Sequence, residues 1–355
     1  MARQHAGGHP PFHRRFLDRL GGSSGDNEMD TGVVADIGGT NIRLAMTGVE
    51  GLRVESIRQY NCADFPGPVE AVRAYWKEIG ETSPASAAFA VATPVSGDAV
   101  HLTNSAWSFS QTATQSALGL KQLLVINDFE AVARALPYLV SSEYKQIGGG
   151  ASMANAPMVA LGPGTGLGVA ALVPDGTKGW VPVAGEGGHM SFSPANAFEA
   201  EVLKAAWQEQ THVSAERLLS GIGLPLLYRA VAQVKGHPAE PDMTASDIGE
   251  RALAGSDALS RQVINTFCAM LGTVASNVAL VFGARAGVFI GGGIVLKILP
   301  LFEASQFRQR FEEKGRFSAY LKAIPTAVIL SPYPALIGLR AAISPLSSLQ
   351  KEATA

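Results

Sequence analysis

Three glycine-rich turns in this sequence combine residue types that could bind a phosphate group. They read ADIGGTN at residues 35–41, GPGTG at residues 162–166 and GGG at residues 291–293. Glycine lets backbone N–H groups approach an anion closely, and a threonine hydroxyl adds a further donor. Each motif taken alone is more typical of a plain tight turn. Three of them, each at the end of a predicted strand, favour a phosphate site built from several turns.

Two aspartates stand at the ends of apolar strands, where they could act on such a phosphate. Asp36 beside a phosphate would require a cation between the two negative groups. Asp128 follows the apolar run at residues 122–127, and an aspartate there can accept the proton of an attacking hydroxyl in phosphoryl transfer. The alternative role is helix capping, because Asn127 and Glu130 have the spacing of a capping box.

Two further segments carry polar side chains that could approach a ligand closely. GEGGH places Glu186 and His189 between glycines, which would allow a close approach to a ligand. HVSAERLLSGIGL, residues 212–224, contains Glu216, which we expect in the first turn of a helix capped by Ser214. The simpler alternatives are a solvated surface turn for the first segment and a favourable helix-dipole contact for Glu216.

The commoner nucleotide fingerprints are absent from the sequence. There is no GxxxxGK[ST] motif, and GPGTGLG joins two predicted strands and not a strand and a helix. A dinucleotide site is therefore not expected.

Composition narrows the remaining classes. The chain has 355 residues, 47% of them hydrophobic, and a formal net charge of −2, so there is room for two domains but no basic face for a nucleic acid. Cys62 and Cys268 are too few for a disulfide framework or a Cys-rich zinc site, which fits a cytoplasmic protein. The apolar run at residues 286–296 is too short to span a membrane.

The first 32 residues differ from the rest of the chain. They are rich in glycine, proline and histidine, and no apolar stretch follows their arginines, so a signal peptide is not expected. His5, His9 and His13 could bind a metal only on a helix, which Gly7, Gly8 and the prolines oppose. We expect a disordered, dispensable leader.

Alternating strands and helices must position the candidate residues. The pattern predicts a three-stranded antiparallel meander at residues 32–58, a helix at 68–81, and strands at 87–95 and 122–128. Residues 157–176 repeat the opening theme of strand, glycine turn and strand, which indicates two related halves. Helices are predicted at 245–255 and 257–282, followed by strand–helix pairs at 286–302 and 326–343. This order predicts an α/β fold with mixed sheets.

The three turns together resemble the nucleotide site of the actin–hexokinase–heat-shock-protein kinase superfamily. The resemblance becomes specific to the bacterial ATP-dependent glucokinase family through seven ordered segments. They are ADIGGTN, INDF, GPGTGLGVA, GEGGH, HVSAERLLSGIGL, GVFIGGGIV and FRQRFEEKGRF. The similarity runs from Val33 to the C-terminal helix. The departures are Ala35 for the first glycine of the family and Pro163 for an alanine, and the proline removes one backbone donor.

The resemblance implies a role for each candidate residue. Asp128 would be the general base on the sugar 6-hydroxyl, and Asp36 would hold Mg²⁺, through water. The glucose ligands would be Asn127, Asp128, Glu186, His189 and Glu216. The ATP site would comprise Ala35, Asp36, Ile37, Gly38, Gly39, Thr40, Asn41, Gly164, Thr165, Gly166, Gly291, Gly292 and Gly293, the last three of them near the adenine.

The resemblance also implies a two-domain actin/hexokinase-like, ribonuclease H-like fold with an interdomain cleft. A small domain would cover residues 33–137 and a large one residues 138–355, with the C-terminal helix packed back on the small domain. The implied activity is transfer of the γ-phosphoryl group of ATP to D-glucose, in glycolysis, by a cytoplasmic homodimer with no membrane partner.

Three rival readings share this fold. A repressor/open-reading-frame/kinase sugar kinase usually carries a cysteine-rich zinc motif, which Cys62 and Cys268 cannot form. A transcriptional sugar sensor needs a DNA-binding domain of roughly 60 residues, longer than the leader. An acyl- or polyphosphate-directed enzyme would not need Glu186, His189 and Glu216 together.

Overall fold

The structure, a computed structural model, describes residues 32–48, 51–81, 84–102, 107–177 and 179–353, without the side chains of residues 344–353. The expected leader lies outside these residues except for Gly32, which opens the first strand. The strands are β1 (Gly32–Ile37), β2 (Asn41–Gly48), β3 (Gly51–Leu52), β4 (Arg58–Asn61), β5 (Ser86–Val91), β6 (Ala99–His101), β7 (Ser108–Ser110), β8 (Gln122–Asn127), β9 (Tyr144–Gly148), β10 (Met158–Pro163), β11 (Leu167–Pro174), β12 (Trp180–Gly185), β13 (Gly287–Ile290) and β14 (Thr326–Ile329).

The helices alternate with these strands. They are α1 (Pro68–Ile79), α2 (Gln111–Leu118), α3 (Asp128–Ala135), α4 (Ala197–Ala206), α5 (Leu224–Lys235), α6 (Ala245–Ala254), α7 (Ala258–Phe282), α8 (Gly293–Lys297), α9 (Leu299–Glu303), α10 (Phe307–Glu312), α11 (Ser318–Ala323) and α12 (Pro334–Ala353). Short 3₁₀ turns lie at Val54–Ser56, Cys62–Asp64, Leu136–Tyr138, Gly187–His189 and Gly315–Phe317.

Two mixed sheets dominate the fold. In the first, β1 pairs antiparallel with β2 and parallel with β5, and β8 lies beyond β5. In the second, β10 pairs antiparallel with β11 and parallel with β13, and β14 lies beyond β13. The two sheets therefore share one topology, which confirms both the predicted mixed α/β class and the predicted internal repeat.

The predicted third strand of the meander, at residues 52–58, is wrong. Only Gly51 and Leu52 pair with β2 before the chain enters a 3₁₀ turn, and pairing with β2 resumes at β4. The cause is Ser56, whose hydroxyl oxygen accepts a hydrogen bond from the Met46 amide at 2.9 Å. That side chain occupies a backbone donor of β2 that a continuous strand would have used.

Helices α3 and α12 lie between the two sheets. One apolar cluster joins them to strands of both sheets, through residues such as Val34, Ala131, Ala160 and Leu339. The helices approach each other closely at Gly338, where an added methyl group would lie 1.7 Å from the Ala131 carbonyl oxygen. The middle layer thus holds both sheets in contact with one pair of helices.

Helix α7 is the central helix of the second core. Its 25 residues are long and apolar enough to cross a membrane, but 83% of its most apolar window is buried inside the protein. It packs against α5, α6 and α10. Its length and hydropathy are therefore explained by its place in a core.

Candidate active site

The first glycine turn follows β1 and is held from behind by Cys62. The Cys62 amide donates to the Thr40 carbonyl at 2.8 Å, and its thiol donates to the Gly38 carbonyl at 3.6 Å. The Gly38 amide closes the turn onto the Asn41 carbonyl at 2.9 Å. Gly38 thus has no free amide to offer a phosphate, and the donors without a partner among the described residues are the amides of Gly39 and Thr40.

Two residues predicted at the nucleotide site contribute to the core instead. Ala35 and Ile37 are both fully buried, and their side chains pack in the apolar cluster on the α1 side of the first sheet. They alternate with Asp36, which points to the opposite face because successive strand residues do so. Their side chains are therefore unable to contact ATP, and Asp36 is the residue of β1 that faces the site.

Asp36 lies opposite Arg43 on the neighbouring strand. The Arg43 Nη1 atom is 3.4 Å from Asp36 Oδ2, and its Nε donates to Gln59 at 2.9 Å. Burial raises the pKa of the Asp36 carboxyl, and the Arg43 charge opposes that rise. Asp36 remains partly open to solvent, with 24% of its side chain exposed, so a cation can reach it.

Asn127 ends β8 and caps α3. Its Oδ1 atom accepts hydrogen bonds from the amides of Phe129 at 2.9 Å and Glu130 at 3.3 Å. The Glu130 carboxylate bonds to Arg134 and does not return to the Asn127 backbone, so the cap is present without the reciprocal box. The Asn127 amide nitrogen is 3.5 Å from the Thr93 carbonyl, a long contact that leaves it able to donate to a ligand.

Asp128 is the first residue of α3 and has an unusual charge environment. Its Oδ1 accepts from the Phe129 amide at 2.8 Å. Burial, the negative charge of Asp36 and, more weakly, that of Glu186 together raise the pKa of Asp128 to about 7, although hydrogen bonds from backbone amides lower it. Three carboxylates from three separate segments therefore converge, and a carboxylate that titrates near neutrality is suited to general-base chemistry.

Phe129 fixes the start of α3 over the second glycine turn. Its ring lies against Gly162 and Gly168, where an added methyl group would be 2.6 Å and 1.8 Å from ring carbons. These glycines flank the second turn on β10 and β11. Asp128 is thus held on the first sheet by β8, and against the second turn by the ring of Phe129.

The second turn is also held from behind. The Gly164 carbonyl accepts from the Gly221 amide at 2.8 Å, and the Thr165 carbonyl accepts from the Ile222 amide at 3.4 Å. The Gly164 amide bonds within the turn to the Gly166 carbonyl at 2.8 Å, so it is not free for a ligand. The groups of this turn that remain for a ligand are the exposed side chain of Thr165 and the amides of Thr165 and Gly166.

The third turn packs against the second. The Gly291 amide donates to the Leu161 carbonyl at 2.9 Å. Gly292 has φ +87°, and an added methyl group would lie 2.3 Å from the Pro163 carbonyl oxygen, so only glycine fits there. Gly293 opens α8. The glycines at 162–166 and 291–293 thus form one continuous surface.

Glu186, His189 and Glu216 come together beside the second turn. Glu216 Oε2 accepts from the Leu167 amide at 2.8 Å, and its Oε1 is 3.7 Å from His189 Nδ1. The Glu216 amide donates to the Gly188 carbonyl at 2.9 Å. Glu186 immediately precedes the 3₁₀ turn that carries His189, and both side chains are exposed. The group presents donors and acceptors toward open space.

The predicted helix around Glu216 does not form, although the predicted cap is present, since the Ser214 hydroxyl accepts from the Arg217 amide at 3.2 Å. Residues 211–223 form successive turns, and Ser214 makes an isolated bridge with Ser191. The segment instead pairs with the residues after His189, since the Ala215 amide donates to the Met190 carbonyl at 2.8 Å and the Phe192 amide to the Val213 carbonyl at 3.0 Å. A helix does not continue because the Ser220 hydroxyl donates to the Glu216 carbonyl at 2.7 Å, the carbonyl that a helix would have paired with the Ser220 amide.

No group of three or more His, Cys, Asp or Glu side chains with metal-ligand geometry occurs among the described residues. The carboxylates of Asp36 and Asp128 still suit Mg²⁺, which takes one or two protein carboxylates and completes its shell with water and phosphate oxygens. The partly exposed Asp36 is the better placed of the two.

The family model named Glucokinase matches residues 33–345 of the chain. The chain belongs to the glucokinase family. A glucokinase of Chromobacterium violaceum is 48% identical over 309 residues, 87% of this chain and 88% of that protein. A crystal structure of glucokinase from an Antarctic psychrotroph superposes with a TM-score of 0.82 at 36% identity, covering 89% of this chain and 99% of that one.

A more distant match shows the fold alone. It is a ROK family glucokinase from Streptomyces griseus in complex with glucose and AMPPNP, with a TM-score of 0.58 at 18% identity, covering 87% of this chain and 98% of that one.

Two residues of this glucokinase-family site were not predicted from the sequence. Arg43 could have been found, because a hairpin turning at residues 38–40 places residue 43 opposite residue 36. Phe129 had no comparable signal, since its contacts with Gly162 and Gly168 join segments more than thirty residues apart.

Proposed function

We propose that the protein is a glucokinase that transfers the γ-phosphoryl group of ATP to the 6-hydroxyl of D-glucose, giving glucose 6-phosphate and ADP. The observation that carries this proposal is that Asp36 and Asp128 stand at the same edge of the first sheet, where β1, β5 and β8 end in register, with the charge of Glu186 also felt by Asp128. It joins a candidate base to a candidate phosphate turn on one side and to a candidate sugar loop on the other. Membership of the glucokinase family supports the same reaction.

The hexose would lie between the start of α3 and the loop that follows β12. Asn127 would donate from its amide nitrogen, which lacks a short hydrogen bond. Glu186 and Glu216 would accept from hydroxyls, and His189 could do either. A polyol needs both donors and acceptors at each hydroxyl, and this set supplies them.

The nucleotide would lie along the glycine turns. We propose that its phosphates contact Gly39, Thr40 and Asn41 of the first turn and Thr165 and Gly166 of the second, with Gly291 to Gly293 beside the adenine. Asp36 would hold Mg²⁺, through water, and the ion would neutralise charge on the phosphates. The amides of Gly38 and Gly164 are left out because they are bonded within their own turns.

In the reaction, Asp128 would accept the proton of the 6-hydroxyl as the oxygen forms its bond to the γ-phosphorus. The bond from that phosphorus to the bridging oxygen breaks, and ADP leaves. Asn127 keeps Asp128 at the first position of α3 by capping the helix. Phe129 keeps the same residue against the second turn.

The rest of the proposal concerns organisation. We propose two domains, at residues 33–137 and 138–355, with α12 packed back on the first and a cleft between them that closes on the sugar. A homodimer in the cytoplasm and membership of the actin–hexokinase superfamily complete it.

A coupled assay tests this function. Purified protein with Mg²⁺ should form ADP from ATP when D-glucose is present, and a scan of hexoses and of polyphosphate as donor should leave glucose with ATP as the preferred pair. Tight glucose binding with no ADP formed would instead support a sugar sensor on the same fold.

A further inference from the structure

A buried ion pair joins two helices of the second core. Arg310 on α10 donates from Nη2 to Glu199 Oε1 on α4 at 2.6 Å, and the same nitrogen is 3.3 Å from the Thr273 hydroxyl of α7. The arginine side chain is 9% exposed and the glutamate side chain 2% exposed. The pair therefore lies almost wholly out of water.

The surroundings of this pair are apolar. Phe307 and Phe311 of the same helix are fully buried, and α10 approaches α7 so closely that a methyl group on Gly272 would lie 2.3 Å from the Phe307 carbonyl oxygen. Replacing a buried ion pair by apolar residues of similar volume is often neutral or stabilising. Stability alone is thus a weak reason for an arginine and a glutamate at these positions.

The second carboxylate oxygen of Glu199 bonds to the end of residues 186–195, which we call the sugar loop because it carries Glu186 and His189. Glu199 Oε2 accepts from the Ala195 amide at 2.8 Å, and the Glu199 amide donates to Asn196 Oδ1 at 2.9 Å. Ala195 ends the stretch that begins with Glu186 and His189. The other side of that stretch is fixed by backbone bonds to residues 213–216. Glu199 links the C-terminal end of this stretch to the core, in addition to the buried ring of Phe192.

We propose that Arg310 is a positioning residue for the hexose site. By orienting Glu199, it fixes Ala195 and so sets where residues 186–195 run, which places Glu186 and His189 toward the sugar. The inference rests on the proposed glucose-binding roles of those two residues. Arg310 itself touches no substrate group.

The test replaces the pair by apolar residues in the double variant Glu199→Leu/Arg310→Met. We expect melting temperature near that of the unchanged protein, KM for glucose raised about 5- to 20-fold, as one or two weakened hydrogen bonds would give, and KM for ATP unchanged. Should the double variant fail to fold, Arg310→Lys keeps the charge but not the guanidinium geometry and should show the same KM split in a smaller size.

Arg308→Met is the matched control. Arg308 lies on the same helix but bonds Glu312 and the carbonyl of Ile324, away from the sugar loop. The Arg308→Met variant should lower the melting temperature and leave KM for glucose unchanged. If the Arg310 variants also change only stability, the positioning role is wrong.

A second comparison separates this inference from the function beneath it. Glu186→Gln should raise KM for glucose if the sugar loop binds the hexose at all. If Glu186→Gln raises KM for glucose and the Arg310 variants do not, the positioning role of Arg310 is wrong but the sugar-site assignment stands. No effect of Glu186→Gln on glucose overturns the sugar-site assignment itself.

Discussion

Asp128 and Asn127 are neighbours with separable roles at the start of α3. Asn127 satisfies the helix amides, whereas Asp128 is a buried carboxylate near two others. We expect Asp128→Asn to lower kcat by ~10²–10⁴-fold, the range for loss of a general base, with little change in KM for ATP. Asn127→Ala should instead cost ~0.5–2 kcal/mol of folding stability through the lost cap and raise KM for glucose through the lost amide donor, with kcat much less affected. Turnover and melting temperature measured on both variants separate the roles. Near-normal turnover of Asp128→Asn would refute the catalytic assignment.

The raised pKa of Asp128 makes a further prediction about stability. Its pKa is about 7 in the folded protein, above the unfolded value of 3.8, so the folded state binds a proton that the unfolded state has released between these values. The contribution of Asp128 to stability is therefore largest below pH 4 and is lost as pH rises through 7. Asp128→Asn should melt higher than the unchanged protein at pH 8 and at the same temperature near pH 4. Equal melting temperatures of Asp128→Asn and the unchanged protein at pH 8 would contradict a raised pKa of Asp128.

Asp36 should control that titration. Its negative charge raises the pKa of Asp128, so Asp36→Asn should lower it in protein free of nucleotide and metal. A ¹³C carboxyl titration by nuclear magnetic resonance, recorded with a chelator present, would follow Asp128 directly. Glu186→Gln is the graded control, because the effect of Glu186 is the smaller of the two. A larger shift from Glu186→Gln than from Asp36→Asn would reverse the arrangement described above.

At the scale of elements, the position of α3 depends on Gly162 and Gly168, against which the Phe129 ring packs. A methyl group at Gly168 would overlap the ring, so Gly168→Ala should cost ~1–3 kcal/mol and reduce kcat by displacing Asp128. Adding Phe129→Leu should recover part of both losses. Gly48→Ala, at the end of β2 in the first sheet, is the control, because nothing lies within 4 Å of the added methyl group there. Equal effects at Gly48 and Gly168 would remove Phe129 from the explanation.

The strands, glycine turns and long helices could be predicted because their signals are local. The apolar runs within 32–48 and the long apolar stretch at 257–282 are such signals, and the strands and the helix appear as predicted. The two failures, at residues 52–58 and around Glu216, share a cause. In each, a serine hydroxyl bonds a backbone group that the predicted element would have used, Ser56 at the Met46 amide and Ser220 at the Glu216 carbonyl.

The sequence could predict which residues form the candidate site, but not which of their atoms are free to contact a ligand. The resemblance pointed to Asp36, Asp128 and Glu186, which the structure brings together. It could not tell that the Gly38 and Gly164 amides bond inside their own turns, or that Ala35 and Ile37 face the core. Those facts depend on turn geometry and strand register, which a list of residues does not contain.

At the scale of the whole molecule, the candidate ligands divide between the two sheets. Asp36 lies in β1 and Asp128 follows β8 of the first sheet, whereas Glu186 and His189 follow β12 of the second and Glu216 bonds to β11. A hexose bridging them should draw the two parts together and exclude water, a competing phosphoryl acceptor. Small-angle X-ray scattering should show a smaller radius of gyration with D-glucose and no change with L-glucose. Identical curves at saturating D-glucose would count against closure.

The contact of α12 with the first sheet also bears on how the chain folds during synthesis. Gly32 in β1 lies against Ile343, about three hundred residues later, and Gly338 lies against Ala131. A nascent chain that has emerged only as far as β8 has one face of its sheet without this helix, and that face is apolar. We expect Val34 and Ala88 on this face to stay uncovered by α12 until residues 334–343 leave the ribosome. Translation speed through the second half sets how long that surface is open to chaperones or to aggregation.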